Sequence, residues 1–236
     1  MIEMPKELQN KILEKVVYRH LNETKTDDIS YLLRVKHIEM MIELAKDNDL
    51  LDDTLLVAIM FHDVCKFEEG RHDKLGSKFL HDHREDINSL EFELDTEEAE
   101  LMILHHSDKE SYTIYNDKIK LLMELDIVSK YTKEYNDLYY SLIRNNCEKI
   151  NFYQRRMEKL ISSIEKLNST DLICQRIVNR LIDGMNSIMK NLFSNSMKPN
   201  DTKQSFINDT VIERLAIKLN KDKEEVENIF KEEKLI

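Results

Sequence analysis

Glycine and proline are nearly missing from this chain: Gly70, Gly76 and Gly184, with Pro5 and Pro199, are all that occur in 236 residues. Ordinary usage is about 7% glycine and about 5% proline. A dinucleotide-binding fingerprint or a P-loop needs clustered glycines so that backbone can approach phosphate, and no such cluster exists. A β-sandwich needs turn residues at short, regular intervals, and these are absent too. The chain is therefore expected to be all-α. With 41% hydrophobic residues it has the material for a sizeable core.

Charge and cysteine narrow the setting. Thirty-five basic residues against 46 acidic ones give a formal net charge of −11. A field of that sign repels nucleic-acid backbones, so duplex DNA or RNA is not expected as a partner. Cys65, Cys147 and Cys174 are odd in number and contain no CxxC pair, as for reduced thiols in a cytoplasmic protein. No apolar run approaches the 18 or so residues that cross a bilayer, and the amphipathic, mixed-charge start (MIEMPKELQNKILEKVV) is unlike a signal peptide.

Periodicity and caps place the elements. A first helix is predicted from about Pro5 to Leu21, with proline suited to the first turn. Asp27 or Asp28 caps a second, to about Ala45; Asp52 or Asp53 caps a third, carrying Leu55, Leu56, Ala58, Ile59 and Phe61. A short helix is expected around Leu75–Asp82. Asp95 with Glu98 makes a capping box that opens a helix to about His106. After a loop at Ser107–Asn116, one helix is predicted from Asp117 to about Arg144, then two more over Lys149–Leu167 and Leu172–Phe193. The segment Ser194–Gln204 reads as a linker and Asp209–Lys234 as a small helical tail.

The placement of the histidines carries the chemistry. His37 lies on the second helix, His62 and Asp63 are adjacent at the end of the third, and Asp126 lies inside the apolar run Leu121–Val128. A buried imidazole or carboxylate without a partner costs several kcal/mol, so such groups on different helices are expected to converge on a cation. Imidazole with carboxylate and no thiolate suits Mn, Fe, Ni, Co or Zn rather than a structural zinc site. A divalent ion of that kind activates water and neutralises phosphoryl oxygens.

The order His37, His62-Asp63, Asp126 resembles the HD superfamily of metal-dependent phosphohydrolases. Five segments carry the resemblance, over about residues 30–131. RVKHIEMMIELA is similar to the family's opening helix, and VAIMFHDVCKFEEG to its HD segment. HDKLGSKFL is similar to its HxxxG element, AELMILHHSD to its later histidine element, and KIKLLMELDIVSKY to its closing aspartate helix. The chain departs at Cys65, where relatives place glycine, and in the short ten-residue step from His62 to His72. It also lacks the GYP signature of cyclic-dinucleotide phosphodiesterases.

The resemblance implies an HD-type bundle, and together with the element reading it divides the chain into a core with its N-terminal helix over residues 1–131, a helical extension over 132–195 and a linker with tail over 196–236. It implies one metal held by His37, His62, Asp63 and Asp126, with His72, His105 and His106 for a second ion or a phosphate contact. Lys66 matches the family's phosphate-contacting Lys or Arg; Arg34, one turn before His37, and Lys130, one turn after Asp126, are placed to serve similarly, and Asp63 is also a candidate to orient water. The implied reaction is hydrolysis of a small nucleotide or related phosphorylated metabolite. Dinucleoside polyphosphate cleavage and non-enzymatic nucleotide sensing or scaffolding are the alternatives.

The remaining features have simpler readings. His81 and His83 belong to a charged stretch, His20 ends the first helix as a partner of its dipole, and the cysteines are core thiols. The tail has helix-turn-helix spacing, but Asp222, Glu224, Glu225 and Glu227 would face phosphate, so a packing pair is expected. The amphipathic helices of 149–193 are expected to extend the core or form a homodimer face.

Overall fold

The computed structural model describes residues 6–90, 92–143 and 222–232, with positions 184, 187, 212, 213, 216 and 217. The fold is all-α: among the described residues there is no strand. Its helices are α1 (Lys6–Thr24), α2 (Asp28–Asp47), α3 (Asp53–Phe61), α4 (His72–Asp82), α5 (Arg84–Asn88), α6 (Thr96–His105), α7 (Asp117–Val128), α8 (Lys133–Ile143) and α9 (Lys223–Glu232). Short 3-10 turns occupy Lys109–Ile114 and Ser129–Tyr131.

Two compact units are present. One comprises residues 1–109 with 115–126, the other 110–114 with 127–236. In the first, α3 is buried along every residue from Thr54 to Phe61. It packs against α1, α2, α4 and α6, while α4 and α6 pack on each other. Its core is built from fully buried Leu13, Leu21, Ile38, Met41, Ile59, Met60, Phe61, Leu80, Met102 and Ile103. A helix apolar on all sides belongs in the middle of a bundle, and α3 occupies that place.

Local chemistry starts these helices where the sequence predicts. Asp27, Asp52 and Asp95 accept backbone hydrogen bonds from Ser30, Leu55 and Glu98, at 2.8, 2.6 and 3.0 Å. Each satisfies a donor that a first helical turn leaves without an intrahelical partner.

The predicted loop at Ser107–Asn116 contains a 3-10 turn. The single helix expected over Asp117–Arg144 is broken instead. Thr132 takes an extended conformation (φ −67°, ψ 156°), its hydroxyl donates to the Ser129 carbonyl at 3.0 Å, and α8 starts beyond it. A threonine hydroxyl offers the backbone a local alternative to the helical ladder, which apolar periodicity does not register.

In the second unit, Asn136 donates to the Thr132 carbonyl at 2.8 Å and Tyr135 and Tyr139 meet edge to face. A Cβ on Gly184 would overlap the Tyr131 carbonyl, so that position admits no side chain. The helices predicted over 149–167 and 172–193, the linker at 194–204 and the proposed dimer face fall almost wholly outside the described residues.

Candidate metal centre

Three elements bring His37 (α2), His62 and Asp63 (the end of α3) and Asp126 (α7) together, all buried. His37 Nε2 lies 3.1 Å from His62 Nε2 and 3.2 Å from Asp126 Oδ1. His62 Nε2 lies 3.2 Å from Asp63 Oδ2 and 3.7 Å from Asp126 Oδ1, and His37 Nε2 lies 3.8 Å from Asp63 Oδ2. Ligands about 2.0–2.2 Å from a common ion stand about 3.3–3.6 Å apart in a tetrahedron and about 2.8–3.1 Å apart at right angles, so the cluster is close to the right size.

A second group shares Asp63. Its other oxygen, Oδ1, lies 3.2 Å from His72 Nε2 and 3.8 Å from His106 Nε2, and those two nitrogens are 3.2 Å apart. The single carboxylate of Asp63 thus faces one cluster with each oxygen.

The fit to a cation rests on two observations. His62 Nδ1 donates to the Ile59 carbonyl at 2.7 Å, and His106 Nδ1 donates to the Ile103 carbonyl at 2.6 Å. A neutral imidazole holding its hydrogen on Nδ1 turns a bare Nε2 lone pair outward, which is how metal-ligating histidines are oriented. His62 Nε2 lies 3.1 Å from His37 Nε2 and 3.2 Å from Asp63 Oδ2, and His106 Nε2 lies 3.2 Å from His72 Nε2 and 3.3 Å from Ser107 Oγ. Secondly, Asp63 Oδ1 is fully buried and receives no well-directed hydrogen bond, although His72 Nε2 and Lys66 Nζ stand 3.2 and 3.3 Å away. A buried carboxylate oxygen left in that condition is costly unless a cation joins it.

The electrostatics agree. Burial opposes ionisation of Asp63, but the Arg34 guanidinium, which donates to Oδ2, and His62 outweigh it and hold the carboxyl well below its usual range. Burial likewise opposes charge on His62, but Asp63 and Asp126 outweigh it and raise its pKa. The field at this point favours positive charge. Burial pushes His106 down and His72 down to about 4, so both are neutral at pH 7 and can offer lone pairs.

Lys66, on the turn after α3, lies 3.1 Å from His72 Nε2 and 3.3 Å from Asp63 Oδ1. Arg34 and Lys66 therefore both edge the cluster. His105 does not join it: neighbouring helical positions point about 100° apart, and His105 Nδ1 instead faces the Tyr115 hydroxyl at 3.1 Å. Lys130 belongs to the second unit, in the turn Ser129–Tyr131. The sequence reading passed over Lys109, whose ammonium donates to Asp126 Oδ2 at 2.9 Å and to the His106 carbonyl. Ser107 Oγ, 3.2 Å from His72 Nε2, was likewise passed over.

Comparison with protein-family models, curated proteins and solved structures returns no match for this chain. What stands is an all-α chain with a buried histidine–aspartate cluster able to hold a cation, compatible with an HD domain. No helix among the described residues is long and apolar enough to cross a membrane.

Proposed function

We propose that this chain is a metal-dependent phosphohydrolase of the HD type, acting on a small nucleotide or related phosphorylated metabolite. The observation that carries the reading is the shared carboxylate of Asp63, one oxygen on His37, His62 and Asp126, the other on His72 and His106. His37, His62, Asp63 and Asp126 would hold one divalent transition ion. Asp63, His72 and His106 would hold a second ion or a phosphate oxygen. Ions there supply Lewis acidity, lowering the pKa of water and neutralising phosphoryl charge.

The chain's own groups do the rest. Arg34 keeps Asp63 ionised and oriented. Lys66, with its side chain 31% exposed, is the cation best placed to meet an incoming phosphoryl oxygen as charge develops there. The backbone carbonyls of Ile59 and Ile103 fix the tautomers of His62 and His106. Lys109 holds Asp126 from the side away from His37.

The test is metal content followed by turnover. The histidine–aspartate centre of the purified protein is expected to bind Mn, Fe, Co, Ni or Zn, one or two ions in that centre. The loaded protein is expected to hydrolyse at least one member of a panel of nucleoside mono-, di- and triphosphates, cyclic dinucleotides and dinucleoside tetraphosphates. His62→Ala and Asp63→Asn should each lose turnover by more than the 10–100-fold typical of outer-shell partners. A chain that binds metal but hydrolyses nothing would leave nucleotide sensing as the better account.

A further inference from the structure

A second cluster of ligand atoms lies apart from the histidine–aspartate centre. His20 Nε2 is 2.7 Å from Glu68 Oε1 and 4.0 Å from Cys65 Sγ. One ligand atom from each of the three lies within 4.8 Å of the others. We propose that His20, Cys65 and Glu68 form a site for a thiophilic divalent cation of the zinc class, with a fourth position left for water.

The backbone places the three side chains. After α3 the chain continues in successive tight turns, with Lys66 N–H bonded to the Asp63 carbonyl at 3.0 Å and Glu68 N–H to the Cys65 carbonyl at 3.2 Å. Three residues per turn brings positions i and i+3 onto one side. Asp63 and Lys66 thus share one side, toward His72, while Cys65 and Glu68 share another, toward α1. His20 comes from α1, one turn before its end, and its ring rests on Phe79 with centroids 4.5 Å apart, which limits its rotation.

The dimensions suit the ion. Tetrahedral zinc with N, O and S ligands sets N···O about 3.4 Å and N···S about 3.6 Å apart. The observed 2.7 and 4.0 Å bracket those values, and each pair needs to move by only some tenths of an ångström. Cys65 is buried, whereas the side chains of His20 and Glu68 are 24% and 35% exposed, so an ion has an approach from solvent. On binding, the Cys65 thiol proton leaves to solvent, the Nε2 proton that His20 gives to Glu68 passes to solvent or to Nδ1 and frees the Nε2 lone pair for the ion, and Glu68 exchanges its hydrogen bond from His20 for a metal bond. One cysteine, one histidine and one carboxylate form a softer set than the neighbouring centre, which has no sulfur, so the two sites prefer different ions. Filled, the site ties α1 to the turn that carries Asp63 and Lys66.

Cobalt distinguishes the two sites, because only a thiolate ligand gives a near-ultraviolet sulfur-to-cobalt charge-transfer band. The full chain, metal-stripped and kept reduced, is titrated with Co2+ and then Zn2+. The expected result is a band that saturates at one equivalent of this site and is erased by zinc. It should be lost in Cys65→Ser and kept in a Cys147→Ser/Cys174→Ser double variant and in His37→Ala. His20→Gln and Glu68→Gln, at partly exposed positions, should move the midpoint at least tenfold even if Cys65→Ser does not fold. No band in the folded parent, a band that survives Cys65→Ser, or an unmoved midpoint in both His20→Gln and Glu68→Gln overturns the proposal. None of these outcomes depends on whether the chain hydrolyses phosphate.

Discussion

His105 and His106 are adjacent, chemically identical and on the same helix end, yet the structure gives them different work. His106 is buried with Nδ1 tied to the Ile103 carbonyl and Nε2 toward His72. His105 faces Tyr115, which also donates to Asp108 at 2.8 Å. His106→Ala is therefore expected to weaken binding of the second ion at least tenfold in a calorimetric titration, while His105→Ala changes it by no more than about twofold. Equal effects from the two would remove the assignment. The residues of the first cluster were legible in the sequence because isolated polar groups inside apolar helical runs must find partners. Lys109 was not, since a lysine on a turn carries no such constraint and its role depends on how α6 meets α7.

Asp73 makes a different residue-level case. Its side chain is 2% exposed. Burial opposes its ionisation, but the Arg71 side chain and the Lys74 backbone amide outweigh it and hold its carboxyl below the ordinary value. A carboxyl whose pKa is lowered on folding stabilises the fold above its unfolded pKa, near 3.9, and loses that contribution as pH falls through the folded value. Asp73→Asn should therefore be less stable than the parent at pH 7, with the gap closing below about pH 4. Urea melts across a pH series read this directly, and a gap that does not shrink at all as pH falls from about 4 to the lowest pH at which the parent still folds would show that the carboxylate's charge is not what stabilises.

At the scale of elements, the caps at Asp27, Asp52 and Asp95 were readable because a short acceptor one residue before an apolar period has one dominant local use. The break at Thr132 was not, because apolar residues continue in helical register across it and the hydroxyl that competes with the ladder is locally silent. The closest helix packing was not legible either, since a single glycine in a helical run does not say what it meets. Gly76, on α4, stands where a Cβ would lie 2.9 Å from the Phe61 carbonyl oxygen and 3.3 Å from Ile103 Cγ2. The helices α3, α4 and α6 meet there as closely as backbone allows. Gly76→Ala is expected to destabilise the first unit by about 1–3 kcal/mol, as overpacking does. The denaturant midpoint should fall with little change in slope. An unchanged midpoint would mean that α4 can shift without cost, and with it His72.

For the molecule as a whole, the near absence of glycine and proline determined the class, and a net charge of −11 bears on how metal binding must be tested. A chain of that charge repels itself, so divalent cations stabilise it in two ways: by screening at the surface and by occupying a specific site. The specific part follows mass action. At a hundred times its dissociation constant an ion that binds only the folded state adds about 2.7 kcal/mol. For a chain of this size that raises the melting midpoint by about 5–10 °C. Mn2+ separates the two contributions, because it favours oxygen and nitrogen ligands over the thiolate of Cys65. The parent should show a saturable rise with Mn2+ that chelation reverses, superposed on a shallow, non-saturating slope. His37→Ala should keep the shallow slope and lose the saturable rise. If the variant keeps both, the ion sits elsewhere on the acidic surface and the buried cluster is an ion-pair network. If the parent shows only the shallow slope, the convergence of four buried ligands must be held together by protons, with His62 carrying the charge that Asp63 and Asp126 favour there.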